Sequence, residues 1–180
     1  MRGVNRSGLE YACIQGWRFF DSPHPDQIAT PGMVAAMRSW DINVVPVPLN
    51  EDCWLGLHTA RGRGGRPYRR IVAAYVWELN AAHLYAILDL HLAAPGAARA
   101  TTQLPMADRT HAPAFWRSVA RTFKRNHAVL FELYNEPYGS AGAAGCMAAA
   151  FRPPPRLRPI SRPECSLWVN AVRSGARPRF

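Results

Sequence analysis

Four short apolar runs recur at regular spacing along the chain, and this spacing constrains the fold more than any other feature. The runs lie at residues 3–5, 43–49, 84–90 and 128–134. Their separation of about 40 residues leaves room for one helix between successive runs. Short runs of this kind, rich in branched residues, are typical of buried β-strands. We therefore predict four strands joined by long crossovers.

Helix patterns occupy the intervals between these runs. Residues 30–40 begin with a threonine cap and a proline, and residues 111–125 also carry a proline in the first turn. Between the second and third strands, the apolar residues from Tyr68 to Leu79 follow helical spacing and form one stripe. Alternating strands and helices predict an α/β fold with parallel strands and right-handed crossovers.

The length indicates an incomplete barrel. A complete TIM-type (β/α) barrel needs about 250 residues, whereas this chain has 180. We predict about four βα units of such a barrel over residues 1–139. Residues 140–180 are rich in small residues, then in alternating Arg and Pro, and regain a weak helical pattern at 166–174. They are predicted to form a divergent tail that includes a short helix.

The charge distribution argues against nucleic acid as a partner. The formal net charge is +10, and seven Arg against one Glu place +6 of it in residues 140–180. The rest of the chain is close to balanced, so no basic patch is expected on the barrel. No apolar run reaches the length of about 20 residues that a membrane helix requires, and no secretory signal pattern is visible at the N-terminus.

The cysteines are consistent with isolated thiols or a disulfide and give little support to a metal site. Cys13 and Cys53 each follow a predicted strand, and a disulfide between them is one interpretation if the compartment is oxidising. Isolated thiols are the other interpretation for these two and for Cys146 and Cys165. No C-x-x-C pair and no zinc-finger spacing occurs, so no metal is predicted.

Polar side chains close three of the predicted strands. Asn50 and Glu51 follow the second strand, His91 follows the third, and Asn135 and Glu136 follow the fourth. The carboxyl ends of barrel strands form one rim, where active sites of this fold lie. These five side chains are therefore predicted to converge.

Four segments in order resemble glycoside hydrolase family 5, in particular its bacterial cellulases. They read RGVNRSGLEYACIQGW, NVVPVPLNEDCWLG, LYAILDLHLAAPG and AVLFELYNEPY. The resemblance implies an eight-stranded (β/α) barrel and retaining hydrolysis of β-1,4-glucan without a cofactor. It implies Glu136 as general acid and base, Asn135 as a ligand of the sugar 2-hydroxyl and His91 beside the cleaved bond. It also implies an extracellular location.

Other residues are candidates for substrate binding with open alternatives. Glu51, Asn50 and Tyr138 lie within the matched segments, and Trp54 or Trp17 is either a sugar-stacking platform or a core anchor. The acids within the strands, Asp89 and Glu132, are expected to be structural.

The chain departs from the family pattern at three points. The family's nucleophile, a glutamate that ends the seventh strand, has no counterpart here. Pro46 replaces an arginine in the second strand, and Leu92 stands where related cellulases often have tryptophan. A retaining site needs a second carboxylate about 5 to 5.5 Å from the first, and Glu51 or Glu10, from this chain or from a partner, is the candidate.

These departures leave several interpretations. The chain is either a hydrolase or a catalytically impaired barrel that binds sugar. Two copies are expected to close a barrel together, because a half-barrel exposes strand edges. A third interpretation is a reading-frame disturbance in the tail, since LWVNAVRSGARP again resembles a family helix.

Overall fold

A computed structural model describes residues 1–21, 31–60, 62–139 and 168–169 of the chain. A four-stranded sheet with strand order β1-β2-β3-β4 forms its centre. The strands are β1 (Val44–Asn50), β2 (Tyr85–Leu92), β3 (Val129–Glu132) and β4 (Trp168–Val169). The α-helices are α1 (Pro31–Ser39), α2 (Glu51–Leu55), α3 (Arg66–Ala81) and α4 (Ala112–Phe123), and a 3-10 helix spans Phe19–Asp21.

The three longer strands run parallel, as the sequence predicted. Pro46 lies beside Ile87 across β1 and β2, and Asp89 lies beside Glu132 across β2 and β3. Each of these pairs of strands is connected through a helix. The architecture is therefore that of an incomplete (β/α) barrel.

The predicted strand at residues 3–5 is reduced to one parallel bridge between Gly3 and Val44. The carbonyl of Arg2 accepts the Val44 N–H at 3.3 Å, and the Arg6 N–H donates to the Pro46 carbonyl at 3.4 Å. The next ladder bond would need an N–H on Pro46, which proline lacks. The ladder is therefore too irregular to form a strand.

The fourth predicted strand is shorter than expected, since 128–134 becomes Val129–Glu132. The indole Nε1 of Trp116 donates to the Leu133 carbonyl at 3.0 Å, so this carbonyl bonds a side chain where a strand would bond the next strand. The predicted helix at 166–174 is wrong at residues 168–169, which pair antiparallel with β3 as β4. Its other residues, and the predicted cap Thr30, lie outside the described residues.

The helix α2 was not predicted, and it begins directly where β1 ends. The Asn50 side chain caps it by accepting the Cys53 N–H at 3.1 Å, and Gly56 ends it in a left-handed conformation with φ 84°. A helix this short leaves no periodic pattern in the sequence. It buries all residues from Glu51 to Trp54.

The core lies between the sheet and the helices. The predicted stripe of α3 is confirmed, because Tyr68, Val72, Tyr75, Val76 and Leu79 are buried. Cys13 and Cys53 form a disulfide with a Cα–Cα distance of 5.6 Å. Within the described part of the chain, no helix is long and apolar enough to cross a membrane.

Candidate active site

The carboxyl ends of the three parallel strands meet at one rim, which we call the carboxyl rim. It consists of residues 50–51 at the end of β1, 89–91 in β2 and 132–136 at the end of β3. The Asn135 N–H donates to the Leu90 carbonyl at 3.1 Å and so ties the end of β3 to β2. The rim brings His91, Asn135 and Glu136 to the same end of the sheet.

A hydrogen-bonded pair of a carboxyl group and an imidazole forms the centre of the rim. Asp89 is 4% exposed, and its Oδ2 lies 2.7 Å from Nδ1 of the half-buried His91. Burial raises the pKa of Asp89, and the hydrogen bond to His91 opposes part of that rise. Burial disfavours the charged form of His91, but the hydrogen bond and charge of Asp89 outweigh it and raise the His91 pKa. The pair therefore holds the imidazole at a fixed position.

Further carboxyl groups surround this pair. The charges of Glu10 and Glu136 add to the rise in the pKa of both members of the pair. The half-buried Glu132 also has a raised pKa, first because of burial and then because of the charge of Asp89. Groups with perturbed pKa values that cluster in this way are frequent at functional sites.

Glu136 is exposed and has φ 42°, in the left-handed region that residues other than glycine seldom occupy. Such a conformation costs roughly 1 to 3 kcal/mol and is frequent at functional sites. Of the three residues Asn135, Glu136 and Pro137, Glu136 alone has a positive φ.

Gln103 supports this segment and was missed in the sequence. Its side-chain nitrogen donates to the Asn135 carbonyl, and the Asn135 Nδ2 lies 3.4 Å from its Oε1. Gln103 belongs to the long loop after β2, and nothing in that loop's pattern distinguishes it. Tyr138 is 52% exposed near the same loop, where its N–H donates to Pro105.

The placement of Asn50 and Trp54 corrects two expectations. Asn50 is fully buried: its Nδ2 donates to the Glu10 and Ala100 carbonyls at 2.8 and 2.7 Å, and its Oδ1 caps α2. It has no side-chain atom left for a sugar. The indole of Trp54 is 0% exposed and packs edge-on against Tyr68, so it is a core anchor. Trp17 is 57% exposed.

Glu51 and Glu10 are also buried, in contrast to the expected role as a second catalytic carboxylate. Glu10 is 2% exposed, and its Oε2 accepts the N–H groups of Gly8 and Leu9 at 2.8 and 3.0 Å. Glu51 is 0% exposed. Its pKa is raised to about 9, mainly by burial and then by the neighbouring carboxyl group of Asp108.

A group of three potential metal ligands was not foreseen. Glu51, Asp108 and His111 each offer one ligand atom, and these atoms lie within 4.8 Å of one another. A metal site is recognisable in a sequence mainly from closely spaced Cys and His. These three side chains come from separate segments, so spacing could not reveal them.

Comparisons with known proteins fit this geometry. The family model described as Cellulase (glycosyl hydrolase family 5) matches residues 7–154. The structure of XacCel5A in complex with cellopentaose shares 24% identity and a TM-score of 0.57, over 82% of this chain and 45% of that chain. A GH5-4 broad specificity endoglucanase from an uncultured bovine rumen ciliate shares 20% identity and a TM-score of 0.54, over 77% and 40%.

A third structure, a GH5 family lichenase from Caldicellulosiruptor sp. F32, shares 18% identity and a TM-score of 0.51, over 77% and 38%. The chain therefore spans less than half the length of these solved structures, and at these identities the likeness shows the barrel fold. No match to a curated protein sequence was found.

Proposed function

The chain belongs to glycosyl hydrolase family 5, the cellulase family, and from this premise we propose that its carboxyl rim takes part in retaining cleavage of β-1,4-glucan. Glu136 is the proposed general acid and base. The observation that carries the proposal is the Asp89–His91 pair, which lies within electrostatic reach of Glu136 at the carboxyl ends of adjacent strands.

The proposed chemistry assigns a separate task to each group. The Glu136 carboxyl protonates the departing glycosidic oxygen and then removes a proton from the attacking water. Asn135 binds the sugar 2-hydroxyl, and His91, fixed by Asp89, contacts the sugar beside the cleaved bond. Tyr138 offers an exposed ring face to a neighbouring sugar. No cofactor takes part in this scheme.

The nucleophile is the incomplete part of this scheme. The buried positions of Glu51 and Glu10 do not suit direct attack on an anomeric carbon, because both carboxyl groups lie away from the surface. We propose that the nucleophile comes from outside residues 1–21, 31–60 and 62–139. The absence of a second suitable carboxylate among the proposed residues also favours the alternative function, sugar binding without hydrolysis.

Hydrolysis of soluble carboxymethylcellulose tests the catalytic proposal. We expect Glu136→Gln to lose at least about 100-fold in kcat, the typical contribution of general acid and base catalysis. Glu78→Gln is the matched control, since Glu78 lies in the last turn of α3, away from the carboxyl rim. Equal activity of wild type and Glu136→Gln contradicts the assignment.

Calorimetry with cello-oligosaccharides separates the two functions. Binding that is weakened in Asn135→Ala, without any turnover, supports the sugar-binding alternative. Binding accompanied by turnover supports the hydrolase. If wild type binds no oligosaccharide, both functions are wrong.

Two coarser features accompany the proposal. An extracellular location is supported by the Cys13–Cys53 disulfide, which persists in oxidising compartments. Recovery of the protein only from cell lysate would contradict this location.

Self-association is supported by β3, whose outer edge is paired with β4 at only two residues. Light scattering on purified protein is expected to give a dimer mass, and a monomer mass at all concentrations contradicts it.

A further inference from the structure

Three side chains from separate segments meet beside the carboxyl rim. Glu51 begins α2, Asp108 lies in the loop between β2 and α4, and His111 precedes the first residue of α4. One ligand atom from each lies within 4.8 Å of the others, and His111 Nδ1 is 3.7 Å from Glu51 Oε1. Ala94 contacts two of them, since its N–H donates to Glu51 Oε1 at 3.3 Å and its carbonyl accepts from His111 Nδ1 at 3.2 Å.

Each carboxyl group in this cluster keeps one buried oxygen without a donor. Glu51 is 0% exposed, and its Oε2 has no hydrogen-bond partner among the described residues. The Asp108 Oδ1 accepts the N–H groups of Thr110 and His111 at 2.7 and 2.8 Å. Its Oδ2 is buried and likewise has no donor within the described part of the chain. A buried carboxylate oxygen without a partner is costly, and a cation satisfies two of them at once.

We propose that Glu51, Asp108 and His111 bind one divalent cation of the zinc class. Two carboxylate oxygens and one imidazole nitrogen are a donor set that suits Zn²⁺, whereas Ca²⁺ and Mg²⁺ prefer oxygen alone. Bonds of about 2.1 Å in tetrahedral geometry place ligand atoms about 3.4 Å apart. The ligand atoms of the three residues lie within 4.8 Å of one another, and Nε2 is the imidazole nitrogen left for the cation because Nδ1 donates to the Ala94 carbonyl.

The cation would connect three segments beside the rim. It joins the start of α2, the loop after β2 and the start of α4, and three protein ligands leave a fourth position for water. This proposal is independent of sugar cleavage, because none of the three residues is assigned a role in it. A proton shared between Glu51 and Asp108 is the competing way to relieve the two carboxyl groups.

Zinc titration of the full chain tests the proposal. The protein carries Cys146→Ser and Cys165→Ser, so that these thiols do not bind zinc, and it is freed of metal with EDTA and dialysed. Isothermal titration with Zn²⁺ should show one saturable site. Asp108→Asn and His111→Gln should each weaken binding at least about ten-fold, as loss of supporting groups around metal sites already does.

Asp41→Asn and His127→Gln are the matched controls, because both residues are exposed and lie outside the cluster. They should bind zinc as tightly as the parent protein. Circular dichroism verifies that each variant is folded, and the Co²⁺ absorption spectrum of the parent reports tetrahedral geometry without depending on the variants. The proposal is overturned if zinc does not bind, if binding is unchanged in both cluster variants, or if Ca²⁺ binds as tightly as Zn²⁺.

Discussion

The Cys13–Cys53 disulfide gives a prediction whose size follows from its position in the chain. We expect Cys13→Ala together with Cys53→Ala to lower the free energy of unfolding by about 4 kcal/mol. The bond joins residues 40 positions apart. In the chain-entropy description, a loop of about 40 residues loses about 13 cal/mol/K on closure, which corresponds to about 4 kcal/mol at 25 °C.

Alanine is the suitable replacement because both cysteines are fully buried in the core. Serine would add a buried hydroxyl group without a partner and confuse the cost of the lost bond with that of desolvation. The loop that the bond closes contains α1 and β1. The disulfide therefore restrains the unfolded chain around the first strand of the sheet.

Urea unfolding of wild type, the two single variants and the double variant measures this effect under non-reducing conditions. Each single variant already breaks the bond, so it should cost nearly as much as the double variant. Intact mass of the wild type should be lower by two hydrogens than that of the reduced protein. A double variant that costs the sum of the two singles, or less than about 1 kcal/mol in all, refutes the reasoning.

Three further predictions concern single side chains. Asp89→Asn should lower the pKa of His91, measured by NMR titration, because the carboxylate that stabilises the imidazolium is lost. Since the native pKa of His91 is raised, the contribution of its protonation to stability is complete below the unfolded pKa of about 6.5. This contribution is lost as the pH rises through the native pKa. An unchanged His91 pKa in Asp89→Asn contradicts the role of the carboxylate. Tyr68→Phe should cost about 1 kcal/mol in urea unfolding, because the buried hydroxyl accepts the Asn50 N–H at 3.2 Å, and a neutral result contradicts that role. Gly8→Ala should cost about 1 to 3 kcal/mol, because the residue has φ +108° and a Cβ would lie 2.7 Å from the backbone of the following 3-10 helix; wild-type stability would show that the segment adjusts freely.

The parallel sheet could be predicted because its signals are local and repeated. Each strand is an apolar run, and the stripe on α3 has the period of a helix. The irregular start could not be predicted in the same way. Residues 3–5 have the composition of a strand, but their pairing depends on a proline in a different segment.

The candidate site was predictable only to the level of strand ends. His91, Asn135 and Glu136 were identified because a strand that stops in a polar residue marks a barrel rim. Burial was not predictable for the side chains at the end of β1 and in the residues that follow it. Whether Asn50 and Trp54 face a ligand or the core depends on the five-residue helix α2, which leaves no pattern in the sequence.

The buried acids beside the rim differ in how their charge is balanced, and this difference distinguishes structural carboxyl groups from reactive ones. Glu10 accepts two backbone N–H groups, Asp52 accepts a backbone N–H beside an imidazole, and Asp89 binds an imidazole directly. Glu51 and Asp108 instead place their remaining oxygens near each other. Because like charges cannot share a buried site without a proton or a cation, this pair must take up one of the two. Asp52 and Asp89 also keep one buried oxygen each without a donor among the described residues, so it is the closeness of two carboxyl groups that distinguishes Glu51 and Asp108. A shared proton or a bound cation is therefore expected at these two, and the zinc titration distinguishes them.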